Sequence, residues 1–427
     1  MGSKEYGQVH SATVVLDPHT TSPEERFKCL YTHYWENSDE DYGHRIACAY
    51  SGDGIQWKVQ PQEPIMGSCG ARLGDVSVMY YDENAREFIQ NTRHIKQTSG
   101  VRNPRNPRNH KSFNKPYEPH NFASFGERRI WQSRSHDFVH WSEPILILAC
   151  DDEEDNLDEA FYGMAQSKVG PVHLATVGLL HKVENTMDVH LMFSRDGLRW
   201  HRTDKRQPFL APRGEGNWDA YMVSMVSPPI LMGDDLWFFH GGADHHHDWS
   251  MAGPREGLDH PETKNPKDAM FGLGLATLRK DGYAGLKANH LREGVVVTRF
   301  LRETGNELII NGKCEKGGSI HVEIVDVEDN PIDYCTKENC DPLTSDSVNY
   351  KVTWKGNQAI PNKRDIGYYP DTNSFDVGRS PDGNAVKLRF YIKGAELFSF
   401  QFTDLLAVSE KGFSQSQNKD HEGQNKS

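Results

Sequence analysis

The motif SRDGLRW at residues 194–200 is the third copy of a pattern that also reads SGDGIQW at residues 51–57 and SHDFVHW at residues 135–141. Each copy follows a short apolar segment typical of a β-strand, and each leads into another such segment. Recurring strand–turn–strand units indicate the blades of a β-propeller more than any other architecture. The pattern therefore predicts an all-β chain, in which each aspartate binds backbone amides of its own turn and each tryptophan packs within a blade.

Four units of this kind can be read, and acidic residues stand at the front of three of them. The second unit opens at Asp75, the third at Asp158 and Glu159, and the fourth at Asp219, whereas the first opens at residues 8–10 without a carboxylate. The opening strands of propeller blades surround a common axis. We therefore expect these carboxylates to converge on one central cavity.

The rest of the chain has a different pattern. After about residue 303 it shows alternating strands without the motif, which predicts a β-sandwich. The last residues are polar and rich in Gln, Asn, Ser and Lys, a composition typical of disorder. We predict a β-propeller domain at residues 1–295, a β-sandwich accessory domain at residues 296–408 and a disordered tail at residues 409–427.

The composition argues against several classes of partner. The net charge is −13, with 61 acidic against 48 basic residues, which disfavours nucleic acids and anionic membranes. The basic segment at residues 101–111 is an exception, either a solvated insertion or a contact for an anionic ligand. No apolar run approaches the roughly 20 residues that cross a bilayer, and residues 1–7 contain no signal-peptide core. We therefore expect a soluble protein, and the sequence does not indicate its cellular compartment. Cys335 and Cys340 lie close enough in a loop to form a disulfide bridge.

Short segments along nearly the whole chain resemble one known family. They are SHDFVHWSEP (135–144), EAFYGM (159–164), SRDGLRW (194–200), WD (218–219), WFFHGG (237–242), LRKDGYAGL (278–286), GSIHVEIVD (318–326), CDPL (340–343) and VTWKG (352–356). They resemble uncharacterised relatives of glycoside hydrolase families 32 and 43, which are five-bladed β-propellers followed by a β-sandwich and are often secreted. The resemblance implies a fifth blade beside the four readable units. It also implies glycosidase activity on a carbohydrate partner, with three carboxyl-bearing residues at the propeller mouth.

Glycoside cleavage passes through an oxocarbenium-like transition state and needs one protonated carboxyl group and one ionised carboxylate. Acids on adjacent blades near the axis would repel each other and be partly buried, which separates their pKa values. We predict Glu159 as the general acid, because its longer side chain reaches further into a cavity. Asp75 is predicted as the base or nucleophile, and Asp219 as the group that orients the substrate or tunes the acid. These roles can be exchanged, and capping of a turn is the alternative for each residue.

Polar and aromatic residues near these carboxylates are candidates for binding the sugar, with simple packing as the alternative for Tyr162, Trp218, Tyr221 and His240. They are Asp158, Tyr162, Trp218, Tyr221, His240, Asp244 and His245. The three histidines at residues 245–247 cannot all face one metal, because neighbouring side chains on an extended chain point apart. A metal site formed by His240, Asp244 and one of these histidines is one alternative, and a loop that binds substrate hydroxyls or a solvated loop are the others. We predict no cofactor and name no metal ligand.

The sequence thus predicts a glycoside hydrolase that cleaves an oligo- or polysaccharide with paired carboxyl groups. The alternative is a carbohydrate-binding propeller without catalysis. It is favoured because a WMNDPNG-type opening and an Arg-Asp-Pro triplet are absent, and because the first unit lacks a carboxylate. A metal-dependent enzyme built on the histidine-rich loop is a third interpretation. The sugar, the linkage, the stereochemical outcome and the oligomeric state cannot be read from the sequence.

Overall fold

The computed structural model describes residues 8–36, 42–60, 65–67, 76–93, 128–150, 155–156, 158–181, 184–203, 206–225, 227–247, 269–302, 305, 307–326, 328–332, 334–357, 360, 379–380 and 383–403. In this part of the chain the regular secondary structure is β-strand, apart from a 3₁₀ turn at Pro23–Glu25. None of the described residues forms a helix long and apolar enough to cross a membrane. The chain divides into two compact units, residues 1–232 with 236–277 and residues 233–235 with 278–427.

The first unit begins with two four-stranded antiparallel sheets. The first sheet follows chain order through β1 (Gln8–Leu16), β2 (Phe27–Glu36), β3 (Tyr42–Ser51) and β4 (Lys58–Val59). The chain continues through β5 (Ile65–Met66), β6 (Ser77–Asp82), β7 (Glu87–Arg93), β8 (Ile130–Ser135), β9 (His140–Trp141) and β10 (Ile145–Leu148). The second sheet has the order β6-β7-β8-β10, and β5 pairs in parallel with β9.

An eight-stranded sheet follows, and it consists of two groups of four strands. The first group is β11 (Glu159–Val169), β12 (Val172–His181), β13 (Thr186–Ser194) and β14 (His201–Arg202). The second group is β15 (Met222–Met225), β16 (Ile230–Met232), β17 (Asp235–Ala243) and β18 (Phe271–Arg279). A single parallel residue pair, Met187 with Met222, joins the two groups.

The first strands of the four groups lie side by side. Strand β1 contacts β6, β6 contacts β11, and β11 contacts β15. The Thr13 hydroxyl oxygen in β1 accepts the backbone N–H of Met79 in β6 at 3.1 Å. Val76, just before β6, packs directly against Gly163 of β11, where an added Cβ would lie 2.9 Å from a Val76 methyl carbon. The leading edge of each group therefore borders the next group.

The turns of the repeated motif are built by the same hydrogen bonds in all three copies. Each aspartate Oδ1 accepts the N–H groups two and three residues ahead, at 2.8 and 2.7 Å for Asp53, 2.9 and 2.7 Å for Asp137, and 2.9 and 2.8 Å for Asp196. The bonds from the Arg199 and Leu198 N–H groups lower the pKa of Asp196 to about 2. The tryptophan of each copy packs against a buried cluster. The prediction for the aspartates is confirmed. The clusters around Trp141 and Trp200 combine residues of two neighbouring sheets, so packing within a single blade stays a prediction.

The residue after each of these aspartates has a left-handed backbone conformation. The φ angles are +78° at Gly54, +69° at Phe138 and +72° at Gly197. Glycine adopts this conformation without steric cost, whereas a phenylalanine does not. Phe138 is fully buried, with its ring 5.2 Å from that of Phe88, so packing compensates for the backbone strain there.

The second unit is built on two long strands that pair with each other, β22 and β27. Its strands are β19 (Leu286–Ala288), β20 (Gly294–Val297), β21 (Leu301–Arg302), β22 (Glu307–Val325), β23 (Cys340–Asp341), β24 (Asp346–Lys351), β25 (Thr353–Trp354), β26 (Arg379–Ser380) and β27 (Gly383–Thr403). Strands β19, β20, β21 and β26 also pair with β27, and β23 pairs with β25. Trp354 lies in its core and donates its indole N–H to the Val322 carbonyl at 3.0 Å.

Two sequence-based expectations bear on this unit. Cys335 and Cys340 are buried and form no disulfide with each other, so the disulfide alternative was wrong. Burial raises the pKa of Cys340 to about 11, and its sulfur instead accepts the backbone N–H of Val322 at 3.2 Å. Strands β19 and β20 pair with β27, although β19 lies before the predicted boundary and β20 crosses it. The division into domains at residues 295 and 296 stays a prediction, as does the tail at residues 409–427, which lies outside the described residues.

Candidate functional site

Strand register places most of the candidate residues at one end of the eight-stranded sheet. Glu159, the first residue of β11, pairs with His181 at the end of β12. Met187 at the start of β13 pairs with Met222 at the start of β15, which in turn pairs with Ala243 at the end of β17. The loop that contains Asp219 and the loop that follows Ala243 therefore meet at this end.

A cavity of about 410 Å³ opens between these two loops. It is lined by Glu215, Gly216, Asn217, Trp218, Ala220, Tyr221, Asp244 and Met270. Three of the predicted sugar-binding residues, Trp218, Tyr221 and Asp244, are thus brought together in one cavity. Glu215 and Asn217 were missed by sequence reasoning, because they lie in a glycine-rich loop that has no strand pattern.

The indole ring of Trp218 packs closely against glycines on the neighbouring strands. An added Cβ at Gly242 in β17 or at Gly272 in β18 would overlap the indole ring, so both positions require glycine for this close approach. The ring also stacks on His240, with centroids 5.7 Å apart and an interplanar angle of 26°. The motif that ends β17, His-Gly-Gly, therefore serves to seat an aromatic side chain. His240 supports the cavity from behind Trp218 and is not among the lining residues.

Asp244 presents one fixed and one open carboxylate oxygen. Its Oδ1 accepts the Met270 backbone N–H at 2.7 Å and the His245 Nδ1–H at 3.1 Å. Its Oδ2 contacts no donor among the described residues, and the side chain is 26% exposed. Two donors on the same oxygen orient the carboxylate, which leaves the other oxygen available to a ligand in the cavity.

Tyr221 connects the two loops around the cavity. Its hydroxyl donates to the Glu215 carboxylate at 3.4 Å, a long hydrogen bond. Its ring stacks on His246 with centroids 4.0 Å apart. Its backbone N–H donates to the Ala243 carbonyl at 3.1 Å, which fixes the end of β17 against the start of β15.

The three consecutive histidines have three different partners. His245 packs edge-on against Phe271 at 4.4 Å between centroids, His246 stacks on Tyr221, and the imidazole Nε2 of His247 forms a hydrogen bond of 2.9 Å with the Tyr162 hydroxyl. His245 and His246 are buried, so the alternative of a solvated loop was wrong for both. Among the described residues, His, Cys, Asp and Glu side chains form no group that could hold a metal ion.

Tyr162 lies between two arginines instead of lining the cavity. The guanidinium carbons of Arg93 and Arg128 lie 4.1 and 5.0 Å from its ring centroid, the first a close cation–π contact. With the bond from His247, these contacts hold Tyr162 where β11, β7 and the histidine loop meet. Sequence reasoning missed both arginines, because they are remote along the chain and belong to no motif.

Glu159 is engaged by donors on both oxygens. Arg206 contacts Oε2 closely, Asn156 donates its backbone N–H and its side-chain amide at 3.0 Å each, and His181 Nδ1 lies 3.7 Å from Oε1. The side chain is 4% exposed and is not part of the cavity lining. The described contacts thus suit a paired structural carboxylate, while the predicted role of general acid stays a proposal.

A row of carboxylates and imidazoles continues outward from Glu159. His181 Nε2 lies 3.1 Å from one oxygen of Asp188, and His190 Nε2 lies 3.0 Å from the other, the second contact being poorly aligned for a hydrogen bond. Burial raises the pKa of Asp188, but the two imidazoles outweigh burial and hold that pKa at about 2. The bond to Asp188 in turn raises the pKa of His181 above its ordinary value. We call Glu159, His181, Asp188 and His190 the carboxylate–imidazole row.

The other predicted acids are placed differently. Asp219 is buried and accepts Arg213 Nε on both oxygens, at 2.7 and 3.0 Å, while Trp218 and Ala220 on either side of it line the cavity. Asp158 is half-buried in the turn before β11. Asp75 lies outside the described residues, as does the basic segment at residues 101–111.

Comparison with known proteins gives weak structural similarities. No protein-family model matches the chain, and no curated protein matches it significantly. An N-acetylgalactosamine deacetylase from F. plautii, solved with blood group B trisaccharide, has 16% identity and a TM-score of 0.39 over 63% of this chain and 72% of that one. A structure described as a glycoside hydrolase has 12% identity and a TM-score of 0.40 over 62% of this chain and 68% of that one.

A third similar structure is the β-1,2-mannobiose phosphorylase from Listeria innocua in complex with β-1,2-mannobiose. It has 14% identity and a TM-score of 0.38, over 57% of this chain and 57% of that one, so this chain spans less than two thirds of its length. The similar structures thus include glycoside hydrolases and phosphorylases. Their TM-scores are too low to support a conclusion about the fold or the function of this chain.

Proposed function

We propose that this protein is a glycosidase in which a five-bladed β-propeller related to glycoside hydrolase families 32 and 43 precedes a β-sandwich. Four groups of antiparallel strands with their first strands side by side support the propeller. The pairing of β22 with β27 over a buried core supports the sandwich. The substrate is an oligo- or polysaccharide, and the reaction needs no cofactor.

The observation that carries this proposal is the cavity at the end of the sheets. Sugar rings have apolar faces that pack on aromatic side chains and hydroxyls that hydrogen-bond to carboxylates and amides. The cavity offers both, with Trp218 and Tyr221 as the aromatic surface and the open oxygen of Asp244 beside them. Asn217 adds a side-chain amide oxygen, since its Nδ2 donates to the carbonyls of Arg213 and Gly214 at 3.3 and 3.0 Å. An apolar surface with a few oriented polar groups is the usual form of a small-ligand site.

In the proposed reaction a protonated carboxyl group gives its proton to the glycosidic oxygen while that oxygen leaves the sugar. An ionised carboxylate acts as nucleophile at the anomeric carbon or takes a proton from the attacking water. Glu159 is the proposed acid, Asp75 the proposed base or nucleophile, and Asp219 the proposed orienting group. Glu159 and Asp219 are bound by Arg206 and Arg213, so each would have to exchange its arginine for substrate.

The test is product release from a panel of oligosaccharides, followed by mass spectrometry, with the wild type and three charge-neutral variants. Asp75→Asn and Glu159→Gln should each lower turnover by at least about 100-fold, the usual effect of losing an acid or base, and Asp219→Asn should lower it less. Glu24→Gln is the matched control, because Glu24 is exposed and pairs only with Lys58 at 3.4 Å among the described contacts. Wild-type turnover in the first two variants would remove both residues from the mechanism.

A carbohydrate-binding propeller without catalysis is the second candidate, and the arginine pairs favour it. A carboxyl group that donates a proton should not be bound by a cation, because the cation favours its ionised form. Arg206 binds Glu159, the proposed acid, and Arg213 binds Asp219. This candidate predicts that calorimetry detects saccharide binding while mass spectrometry detects no product from the same saccharide. Detection of any hydrolysis product that the variants lose would exclude it.

A further inference from the structure

The cavity carries negative charge that is not compensated within its lining. Among the described residues that line it, Glu215 and Asp244 are the acidic ones and none is basic. The nearby guanidinium of Arg213, which lies 5.7 Å from the Trp218 ring, is already neutralised by Asp219. Within the described lining, a ligand in the cavity therefore meets two carboxylates and no basic side chain.

Both carboxylates keep an oxygen for a ligand. Asp244 has both of its described donors on Oδ1, which leaves Oδ2 open. Glu215 receives one described hydrogen bond, from Tyr221 to Oε1 at 3.4 Å, which leaves Oε2 open. The two open oxygens belong to opposite loops of the cavity, with the ring of Tyr221 between those loops.

Glu215 also has room to adjust to a ligand. Gly214 and Gly216, on either side of it, have φ angles of +82° and +84°, and an added Cβ at either position would meet nothing within 4 Å. The loop thus projects into open space at a turn that glycine allows. Asp244 is a fixed partner and Glu215 an adjustable one.

From these contacts we infer that the cavity selects a saccharide that carries a protonated primary amine, that is, an amino sugar with a free ammonium group. This inference rests on the proposed function, because it assumes that the ligand is a saccharide. The sugar ring packs on Trp218 and Tyr221 while ammonium groups of the saccharide donate to the open oxygens, Asp244 Oδ2 on one loop and Glu215 Oε2 on the other. Uronic acids and sulfated sugars are disfavoured, because their charge would face two carboxylates.

The test is calorimetric titration at pH 6 with three probes. The first is a short glucosamine oligomer with free amines, the second is the same oligomer fully N-acetylated, and the third is spermidine, an amine without a sugar ring. The wild type should bind the free-amine oligomer at least about fivefold more tightly than the acetylated one, since each partly exposed ion pair contributes a few-fold in affinity. Spermidine should bind more weakly than either oligomer, because it lacks the ring that packs on the aromatic side chains.

Charge-neutral variants assign the preference to the two carboxylates. Asp244→Asn and Glu215→Gln should each reduce the preference for the amine, and the double variant should abolish it while the acetylated oligomer still binds. Glu24→Gln, which removes one exposed charge outside the cavity, should leave the preference unchanged. Raising the salt concentration from about 0.05 to 0.5 M should weaken binding of the free-amine oligomer more than that of the acetylated one.

The outcomes separate this inference from the proposed function. Equal affinity for both oligomers, or a preference that survives in the double variant, would overturn the amino-sugar inference while a carbohydrate site remains. Spermidine binding as tightly as the free-amine oligomer would overturn it as well, because the amine alone would then be recognised. If neither oligomer nor any other saccharide of the panel binds, the proposed function itself fails.

Discussion

Two pairs of carboxylates in the first unit have opposite surroundings. Glu159 opens β11 and Asp219 lies in the loop before β15, and both are buried and bound by an arginine. Asp244 and Glu215 lie in loops, line the cavity, and each keep one oxygen open. A buried carboxylate is tolerated when a cation and hydrogen-bond donors surround it, and the same partners occupy the oxygens that a ligand would need. The position of an acid in front of a strand thus does not by itself make it a reactive group.

The largest expected effect separates the pairs by stability. Glu159→Gln leaves Arg206 beside a neutral amide, although Arg206 keeps an ion pair with Asp155 at 3.4 Å. Loss of one partner of a buried ion pair costs about 3 kcal/mol, which is the upper limit of the expected effect. Asp244→Asn keeps the acceptor for the Met270 N–H and removes a partly exposed charge, so it should cost less than about 1 kcal/mol. Urea unfolding of both variants measures the two values. Equal stabilities would show that the arginine pair does not hold this end of β11.

The second effect is the pH dependence of stability that arises in the carboxylate–imidazole row. The pKa of Asp188 is about 2 in the folded protein and about 4 in an unfolded chain, so its contribution is present above pH 4 and is lost as the pH falls toward 2. The pKa of His181 is raised by folding, so its contribution is complete below about pH 6.5 and is lost as the pH rises through its folded pKa. Urea unfolding between pH 2 and 9 should show a change on the order of 2 kcal/mol on the acid side.

His181→Gln checks the assignment of that pH dependence. Glutamine can still donate to Asp188 but does not titrate, so the loss of stability on the alkaline side should shrink. The loss on the acid side should move to higher pH, because a cation no longer lowers the pKa of Asp188. An unchanged profile in this variant would place the titrating groups elsewhere in the protein.

The third effect concerns the aromatic side of the cavity. Gly242→Ala adds a methyl group that must displace the Trp218 ring, whereas Gly241→Ala, one residue earlier on β17, meets only the Ser224 hydroxyl at 3.2 Å. We expect Gly242→Ala to weaken saccharide binding by about 10-fold, a typical share for one aromatic contact, and Gly241→Ala to leave it nearly unchanged. Calorimetry with the same saccharide measures both. A similar loss of saccharide affinity in the two variants would mean that disturbance of strand β17, and not displacement of the Trp218 indole, weakens binding.

The smallest effect is expected at the other buried acid. Asp219→Asn releases Arg213, whose side chain is 54% exposed and can be solvated by water, so the cost should be about 1 kcal/mol. Urea unfolding beside Glu159→Gln measures the difference between the two arginine pairs. A cost as large as that of Glu159→Gln would contradict the idea that exposure of the arginine sets the value.

Local patterns in the sequence predicted local structure well. The aspartates of the repeated motif form the expected turns, because the partners of each lie two and three residues away. The histidines at residues 245–247, predicted not to face one metal together, have three different partners in the loop after β17. Trp218, Tyr221 and Asp244 were chosen for their residue types next to strand ends, and the register of β15 and β17 brings them together.

Partners remote along the chain could not be predicted in this way. Arg206 is 47 residues from Glu159, and it lies outside every motif, as does Arg213. Glu215 lies in a loop whose course depends on two positive φ angles. A sequence gives the charge of each residue but not which charges meet. The carboxylates that an arginine neutralises, Glu159 and Asp219, could therefore not be distinguished from those with an open oxygen, Asp244 and Glu215, before the fold was known.

The central claim is that the cavity lined by Trp218, Tyr221, Asp244 and Glu215 binds carbohydrate. The most direct measurement is a glycan array probed with the wild type and with Trp218→Ala, after circular dichroism has shown that both have the same β-sheet content. We predict that the wild type binds a defined set of glycans and that Trp218→Ala binds none of that set. Binding of the same glycans at the same strength by both proteins, or no binding by the wild type, would contradict the claim.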